Sequence, residues 1–222
     1  MAGSGQSRQV KARVLLIDDH AIVRQGLAEL INDQPDLVVC GEADSPPEAL
    51  KVIAQTEPDA AIVDISLKSG DGIELCRQVH EQWPNVALLV LSMHDEGLYA
   101  ERALRAGAMG YVMKQEPQET VMTAIRRILK GETHLSAPMT AKLLQSFTGK
   151  RDRVDVPPLE RLSDRELQVF RLIGQGRSVK DIADELFLSP KTVETHKEHI
   201  KRKLNLDSSN DLLRYAIEAR LR

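Results

Sequence analysis

The chain has 222 residues, 42% of them hydrophobic but only 3% aromatic, enough for one or two domains with cores built from Leu, Ile, Val and Ala. No apolar run approaches a membrane span, and residues 1–11, polar and glycine-rich, lack the apolar run of an export signal; a disordered start and a cytoplasmic protein without membrane contact are expected. The net charge of −3 hides an asymmetry: residues 12–131 carry 11 Lys and Arg against 19 Asp and Glu, and residues 132–222 carry 17 against 14, so the first part suits a cation and the second a polyanion.

From Ala12 to Gly131 short apolar runs alternate with helical patterns. The strand Val14–Ile17 precedes a helix near Ala21–Asp33, with Ile22, Leu27, Leu30 and Ile31 near helical spacing. The strand Leu37–Cys40 precedes a helix near Pro46–Gln55 that Ser45 can cap. The run Ala60–Val63 ends at Asp64 and is followed by a loop, Ser66–Gly72, and a helix to about Gln82. Ala87–Leu91 ends at Ser92, before a helix near Glu96–Ala106 that Gly107 stops. Gly110–Met113 ends at Lys114, before a helix near Pro117–Lys130. Five strands alternating with five helices predict a doubly wound parallel sheet, flavodoxin-like in class. Cys40 and Cys76 have no metal-ligand spacing and read as reduced, buried fillers.

Residues 132–159 read as a short amphipathic helix, with Leu135, Met139, Leu143, Leu144 and Phe147 on one face, followed by a charged linker ending in two prolines. From Glu160 to Arg222 four helix starts follow: a capping box at Ser163–Glu166 stapled by Leu162 and Leu167, then caps at Ser178, at Ser189 before Pro190, and at Ser208 or Ser209. A short helix, a turn at Phe187–Leu188 and a longer basic helix, Pro190–Leu204, make a helix-turn-helix in an all-α domain of four helices.

Parallel neighbours would bring Asp18, Asp19, Asp64, Ser92 and Lys114 to the carboxyl edge of the sheet, where open α/β folds bind ligands. Each of these aspartates alone could merely end a strand or cap a helix; the ordered set across four strands argues for a site. Carboxylates about 4 Å apart repel by about 4 kcal/mol per pair at an effective dielectric of about 20, so protons or a cation must relieve them. All-oxygen ligands beside solvent favour Mg²⁺, and an aspartate beside it can take a phosphoryl group as an acyl phosphate, with Lys114 and Ser92 on the transferred oxygens.

Leu15-Leu-Ile-Asp-Asp-His20, Asp64 with Gly70-Asp-Gly72, Leu89-Val-Leu-Ser-Met-His-Asp95 and Ala106-Gly-Ala-Met-Gly-Tyr-Val-Met-Lys114 resemble the receiver domain of two-component response regulators over about Ala12–Gly131. The resemblance implies Asp64 as phosphoacceptor for a sensor histidine kinase, Asp19, Asp64 and the Ser66 carbonyl on Mg²⁺, and Asp18 in the outer metal shell. It further implies a switch pair, Ser92 and Tyr111, drawn inward on phosphorylation, with Lys114 facing the phosphate. Two departures stand out: Met93 follows the switch serine where many receivers have a small residue, and Lys68 stands where many have proline.

Leu162-Ser-Asp-Arg-Glu-Leu167, Gly176, Ile182-Ala183, Leu186 and Ser189-Pro-Lys-Thr-Val-Glu-Thr-His196 through Lys203-Leu-Asn-Leu206 resemble the LuxR-type helix-turn-helix of NarL/FixJ regulators. The resemblance implies Glu194, Thr195 and Glu198 at base edges of double-stranded DNA, and Ser189, Lys191, Thr192, Lys197 and Lys201 at phosphates. His196 reads as structural. Val193, Ile200 and Leu204 read as the helix's buried stripe, and Leu212, Leu213, Ala216 and Ile217 as available either for a homodimer or for packing. A transcription regulator controlled by phosphorylation is the expectation, with the receiver covering the recognition helix at rest. A pure protein-docking module is the rival, and a haloacid-type phosphatase a weaker one, lacking the paired DxD after the first strand.

Overall fold

The computed structural model describes residues 10–67, 70–148 and 158–220, with the side chains of 146–148, 160 and 220 excepted. Of the start expected to be disordered, 1–11, residues 1–9 lie outside the described residues, and Lys11 is tied down, its Nζ donating to the Gln34 carbonyl at 2.8 Å; Lys68, the side chain of Phe147 and most of the linker lie outside the described residues and side chains too. The chain divides into two compact units between Leu143 and Leu144. Among the described residues no helix is long and apolar enough to cross a membrane.

In the first unit the strands β1 (Ala12–Ile17), β2 (Leu37–Ala43), β3 (Ala60–Val63), β6 (Ala87–Ser92) and β7 (Gly110–Met113) form one parallel sheet in the order β2-β1-β3-β6-β7. The strands β4 (Ser66–Leu67) and β5 (Gly70–Asp71) make a small antiparallel pair inside what the sequence reads as a plain loop. The helices are α1 (Ala21–Asn32), α2 (Pro46–Thr56), α3 (Gly72–Gln82), α4 (Glu96–Arg105) and α5 (Gln118–Leu129), and α6 (Ala137–Thr148) begins in this unit and runs past its boundary. The β3 run Ala60–Val63 is fully buried, as a central parallel strand covered on both faces must be.

Local chemistry explains most helix ends and corrects some expectations. Asp71 caps α3 through the amides of Ile73 and Glu74. Ser45 sits at the start of α2 but makes no capping bond; the Glu48 carboxylate reaches back to the Asp44 amide instead. Pro117 precedes α5 rather than opening it. Ile22 is 86% exposed on α1, whereas Leu27 and Ile31 face the core, because the helix start turns Ile22 away from the sheet. Gly107 has φ +96°, the left-handed ending expected of it. A side chain at Gly72 would meet the Asp64 carbonyl at 1.9 Å, so only glycine lets α3 start against that strand end. Cys76 is buried, its thiol pushed up to about 12 by burial, while Cys40 is only half-buried.

The segment leading into α6 is tied to the edge of the sheet at His134 and to the first turn of α4 at Ser136. His134 bridges to Gly110 at the β7 edge, Met139 on α6 is buried, and Leu144 is 60% exposed.

The second unit comprises a short 3₁₀ turn and the helices α7 (Asp164–Gly174), α8 (Val179–Glu185), α9 (Pro190–Leu204) and α10 (Ser209–Arg220). The capping box at Ser163–Glu166 forms as the sequence predicts, and Ser178 with Asp181 makes a second. Ser189 caps α9 and Ser208 caps α10. Phe187 turns the chain between α8 and α9 with φ +52°. Val193 and Ile200 are fully buried, Leu204 half-buried; Leu212 and Ala216 pack inward while Leu213 and Ile217 remain about two-fifths exposed.

Candidate functional site

Parallel register delivers the acidic pocket. Ile17 pairs with Val63, and the Asp64 amide donates to the Ile17 carbonyl at 2.9 Å, so the residues after β1 and β3 stand side by side at the point where strand order reverses. Asp18 and Asp64 are each 4% exposed. Lys114, just past β7, places Nζ 2.5 Å from Asp18 Oδ2 and 2.8 Å from Asp64 Oδ2. Ligand atoms of Asp18, Asp19, His20 and Asp64 all lie within 4.8 Å of one another.

Charge in this pocket is unbalanced in a way that favours a cation. Burial raises the Asp64 pKa despite the attraction of Lys114. Burial also works against the Lys114 ammonium, but Asp64 and Asp18 more than offset it and hold its pKa above the ordinary lysine value. Asp19 Oδ1 is 2.7 Å from His20 Nδ1 at an angle that makes no hydrogen bond, and this buried oxygen has no other partner. Three carboxylates face a single ammonium, and with the orphaned Asp19 oxygen among them their oxygens make a hard donor set that could hold a metal ion. His20 was quoted in the sequence motif but not named for the site; its position directly after the acid pair was the available signal.

Around the pocket, Ser92 is fully buried and its Oγ accepts from the His94 amide at 3.2 Å. Tyr111 is 2% exposed and its hydroxyl donates to the His94 carbonyl at 2.8 Å, so this ring already lies inward. Ser66 gives its backbone amide to Asp64, and its Oγ is 2.7 Å from His94 Nε2. Met93 is 56% exposed. His94 is the residue that sequence reasoning passed over, since no pattern states where a loop ring will point.

The other expected group lies on α9. Its N-terminal turn is fixed by Ser189, whose Oγ accepts from the Thr192 amide at 3.0 Å and is 2.7 Å from Thr192 Oγ1. Lys191, Glu194, Thr195 and Glu198 are exposed, and Thr192, Lys197 and Lys201 partly so. Lys197 pairs with Glu194 at 2.9 Å and Lys201 with Glu198 at 2.8 Å, while Thr195 Oγ1 donates to the Lys191 carbonyl. The same face thus carries both the expected base-reading acids and the expected phosphate-binding lysines, held together as pairs. Lys203, counted among the basic residues of this helix, instead turns to the buried Glu166 at 2.6 Å. His196 is half-buried, and its Nδ1 has no hydrogen-bond partner among the described residues.

Comparison with known proteins agrees with both halves. The response regulator receiver domain family matches residues 14–126, and the bacterial regulatory proteins of the luxR family match residues 160–216. The oxygen regulatory protein NreC of Staphylococcus haemolyticus (strain JCSC1435) is 38% identical over 213 residues, covering 94% of this chain and 98% of that protein; NreC of Staphylococcus carnosus (strain TM300) matches equally. Among solved structures, RcsB from Salmonella enterica serovar Typhimurium, bound to promoter rprA with the phosphomimetic BeF₃⁻, has a TM-score of 0.61 and 26% identity over 93% of this chain and 98% of that one. A LuxR-family two-component response regulator from Aurantimonas sp. SI85-9A1 has a TM-score of 0.58 and 32% identity, covering 63% of this chain and 99% of that one. With an acidic pocket at the carboxyl edge of a receiver sheet and a capped recognition helix in a second unit, this chain belongs to the NarL/FixJ-type, LuxR-family response regulators: it is a DNA-binding two-component transcription regulator and not an enzyme.

Proposed function

We propose that Asp64 is phosphorylated by a sensor histidine kinase in a Mg²⁺-dependent reaction, and that the phosphorylated chain binds paired DNA half-sites as a homodimer. The observation that carries the reading is Lys114 Nζ within hydrogen-bonding distance of both Asp18 and Asp64 beside the orphaned Asp19 oxygen. Asp19, Asp64 and the Ser66 carbonyl would hold Mg²⁺, with Asp18 outside them; the ion would neutralise charge on the transferred oxygens. An Asp64 oxygen forms its bond to phosphorus as the phosphorus–nitrogen bond of a phosphohistidine breaks, and the electron pair leaves with the imidazole. Lys114 stands ready to hold a phosphoryl oxygen, and Ser92 Oγ can turn to donate to another. A cytoplasmic location follows from a kinase donor and a DNA target.

On DNA, Ser189, Lys191, Thr192, Lys197 and Lys201 would hold phosphates while Glu194, Thr195 and Glu198 reach base edges, an acid being able to accept from cytosine N4. Binding requires the Glu194–Lys197 and Glu198–Lys201 pairs to part, and the exposed carboxylate of each is free to return to water as its lysine takes a phosphate. RcsB supports the reading as a relative solved on promoter DNA.

The test is acetyl phosphate labelling of the full chain. Wild type is expected to gain one phosphoryl group with Mg²⁺ and none with EDTA, and Asp64→Asn none in either. Labelling that persists in Asp64→Asn would place the acceptor elsewhere. DNA affinity that is the same with and without the phosphoryl group would end the claim that Asp64 controls the second unit.

A further inference from the structure

His94 gathers contacts from four directions. Its ring Nε2 meets Ser66 Oγ at 2.7 Å, and the Ser66 amide is bonded to the Asp64 carboxylate. Its backbone amide donates to Ser92 Oγ, its carbonyl accepts from the Tyr111 hydroxyl, and its ring stacks on Tyr99 at 4.8 Å between centroids. The loops that end β3 and β6 are therefore joined across the pocket by the side-chain hydrogen bond between His94 and Ser66.

The residues directly after His94 hold α6. Glu96 Oε1 accepts from the backbone amide of Ser136 at 2.9 Å, and Ser136 is the residue whose hydroxyl caps α6 through Met139. The Gly97 carbonyl accepts from Lys142 Nζ at 2.8 Å. Both anchors lie in the first turn of α4, whose N-cap is Asp95. Beside them, the Tyr111 amide donates to the His134 carbonyl at 3.0 Å, tying the segment that leads into α6 to the sheet edge.

We propose that His94 is a positioning residue that couples the state of Asp64 to the grip of α4 on α6, so that phosphorylation loosens α6 at its attachment. The inference rests on the reading of Asp64 as phosphoacceptor. A phosphoryl group brings roughly two negative charges and new acceptor oxygens next to Ser92. As Ser92 Oγ turns to donate to it, the His94 amide bonded to that oxygen is drawn along, while the ring bond to Ser66 makes the Asp64 loop move with it. A displacement of about 1 Å at the start of α4 takes both α6 anchors beyond hydrogen-bonding distance. The ring bond between the loops makes the α4 start follow Asp64 more closely than the pairing of β3 with β6 alone requires.

The experiment is hydrogen exchange of the Met139–Leu143 amides in the full chain, with and without Mg²⁺ and beryllofluoride, with occupancy read separately by fluorine NMR. In wild type, saturation is expected to speed exchange about tenfold. His94→Phe keeps the ring stack and the backbone bonds but loses Nε2, and its exchange should rise less than twofold at equal occupancy. His94→Gln, whose carboxamide can reach Ser66 Oγ, should restore most of the rise, and Ser66→Ala, which breaks the same bond from the other side, should lose it even if His94→Phe folds poorly. A wild-type chain that binds beryllofluoride with unchanged exchange overturns the proposal and leaves the phosphoacceptor reading standing. An equal rise in His94→Phe and wild type overturns the role of His94. Failure of wild type to take up beryllofluoride overturns both.

Discussion

Lys203 Nζ lies 2.6 Å from Oε2 of Glu166, a carboxylate only 3% exposed, so a cation near the end of the recognition helix faces the fold rather than a phosphate. Burial alone would raise the Glu166 pKa, but the Lys203 ammonium and the Ser163 amide and hydroxyl more than offset it and hold it below the ordinary range. Lys203→Met should therefore destabilise the second unit by about 1–3 kcal/mol, since Lys203 is partly solvated, and leave the salt dependence of DNA binding unaltered. Denaturant midpoints and a salt titration check both halves; an unmoved midpoint would show that the pair contributes nothing.

Lys114 has the opposite assignment, at the pocket. Lys114→Met removes the ammonium from Asp18 and Asp64, leaving Asp64 raised by burial and by Asp18, with the Ser66 amide left to oppose them. Phosphorylation by acetyl phosphate is expected to slow about 10²–10³-fold, the scale of losing one preorganised charge donor. A rate within twofold of wild type would remove Lys114 from the chemistry.

Met93 stands in solvent beside buried Ser92, at 56% exposure, and no core packing requires its bulk. The expected role is to shield the acyl phosphate from water. Met93→Ala should shorten the phosphoryl half-life several-fold without changing the melting temperature; an unchanged half-life sinks the idea.

On DNA, a dimer that neutralises about six phosphates should give a log–log salt slope of roughly −5. Lys191→Ala should reduce that slope by about 1 per site, whereas Glu194→Gln, by freeing Lys197, should strengthen binding while relaxing preference at one base pair. A slope near zero would remove phosphate contacts from the account.

His134 in the first unit and His196 in the second both have pKa values lowered from 6.5, burial being the largest cause in each, with Arg127 and Arg165 next. The folded chain resists protons that the unfolded chain accepts, so stability is full above 6.5 and declines as pH falls through that value toward the folded pKa values. Melting temperatures should drop between about pH 7 and about pH 5.5, and His196→Gln should flatten the slope for the second unit alone. A pH-independent melt over that window would contradict the burial of these rings.

The helix starts were legible one residue at a time because capping is local: Ser163, Ser178 and Ser189 act within three residues of themselves. Ser45 shows the limit: it stands at the N-cap of α2, but Pro46 and Pro47 bring no N–H to the first turn, and Ser45 makes no capping bond. Most strand ends were legible too, because continuous apolar runs mark buried parallel strands and four of the five stopped at a chemically distinctive residue; the run from Leu37, read to Cys40, continues to Ala43. From that, Asp18, Asp64, Ser92 and Lys114 could be set on one edge before any coordinates. What only the tertiary structure decided was direction. Ile22 is apolar at helical spacing yet faces solvent, and Lys203 lies on the same basic helix as Lys197 and Lys201 yet reaches a carboxylate on another helix. His94, silent in the sequence, proved to join both loops of the pocket. Periodicity constrains which face of an element is apolar, but where a long or ring side chain points depends on partners that arrive from elsewhere in the chain.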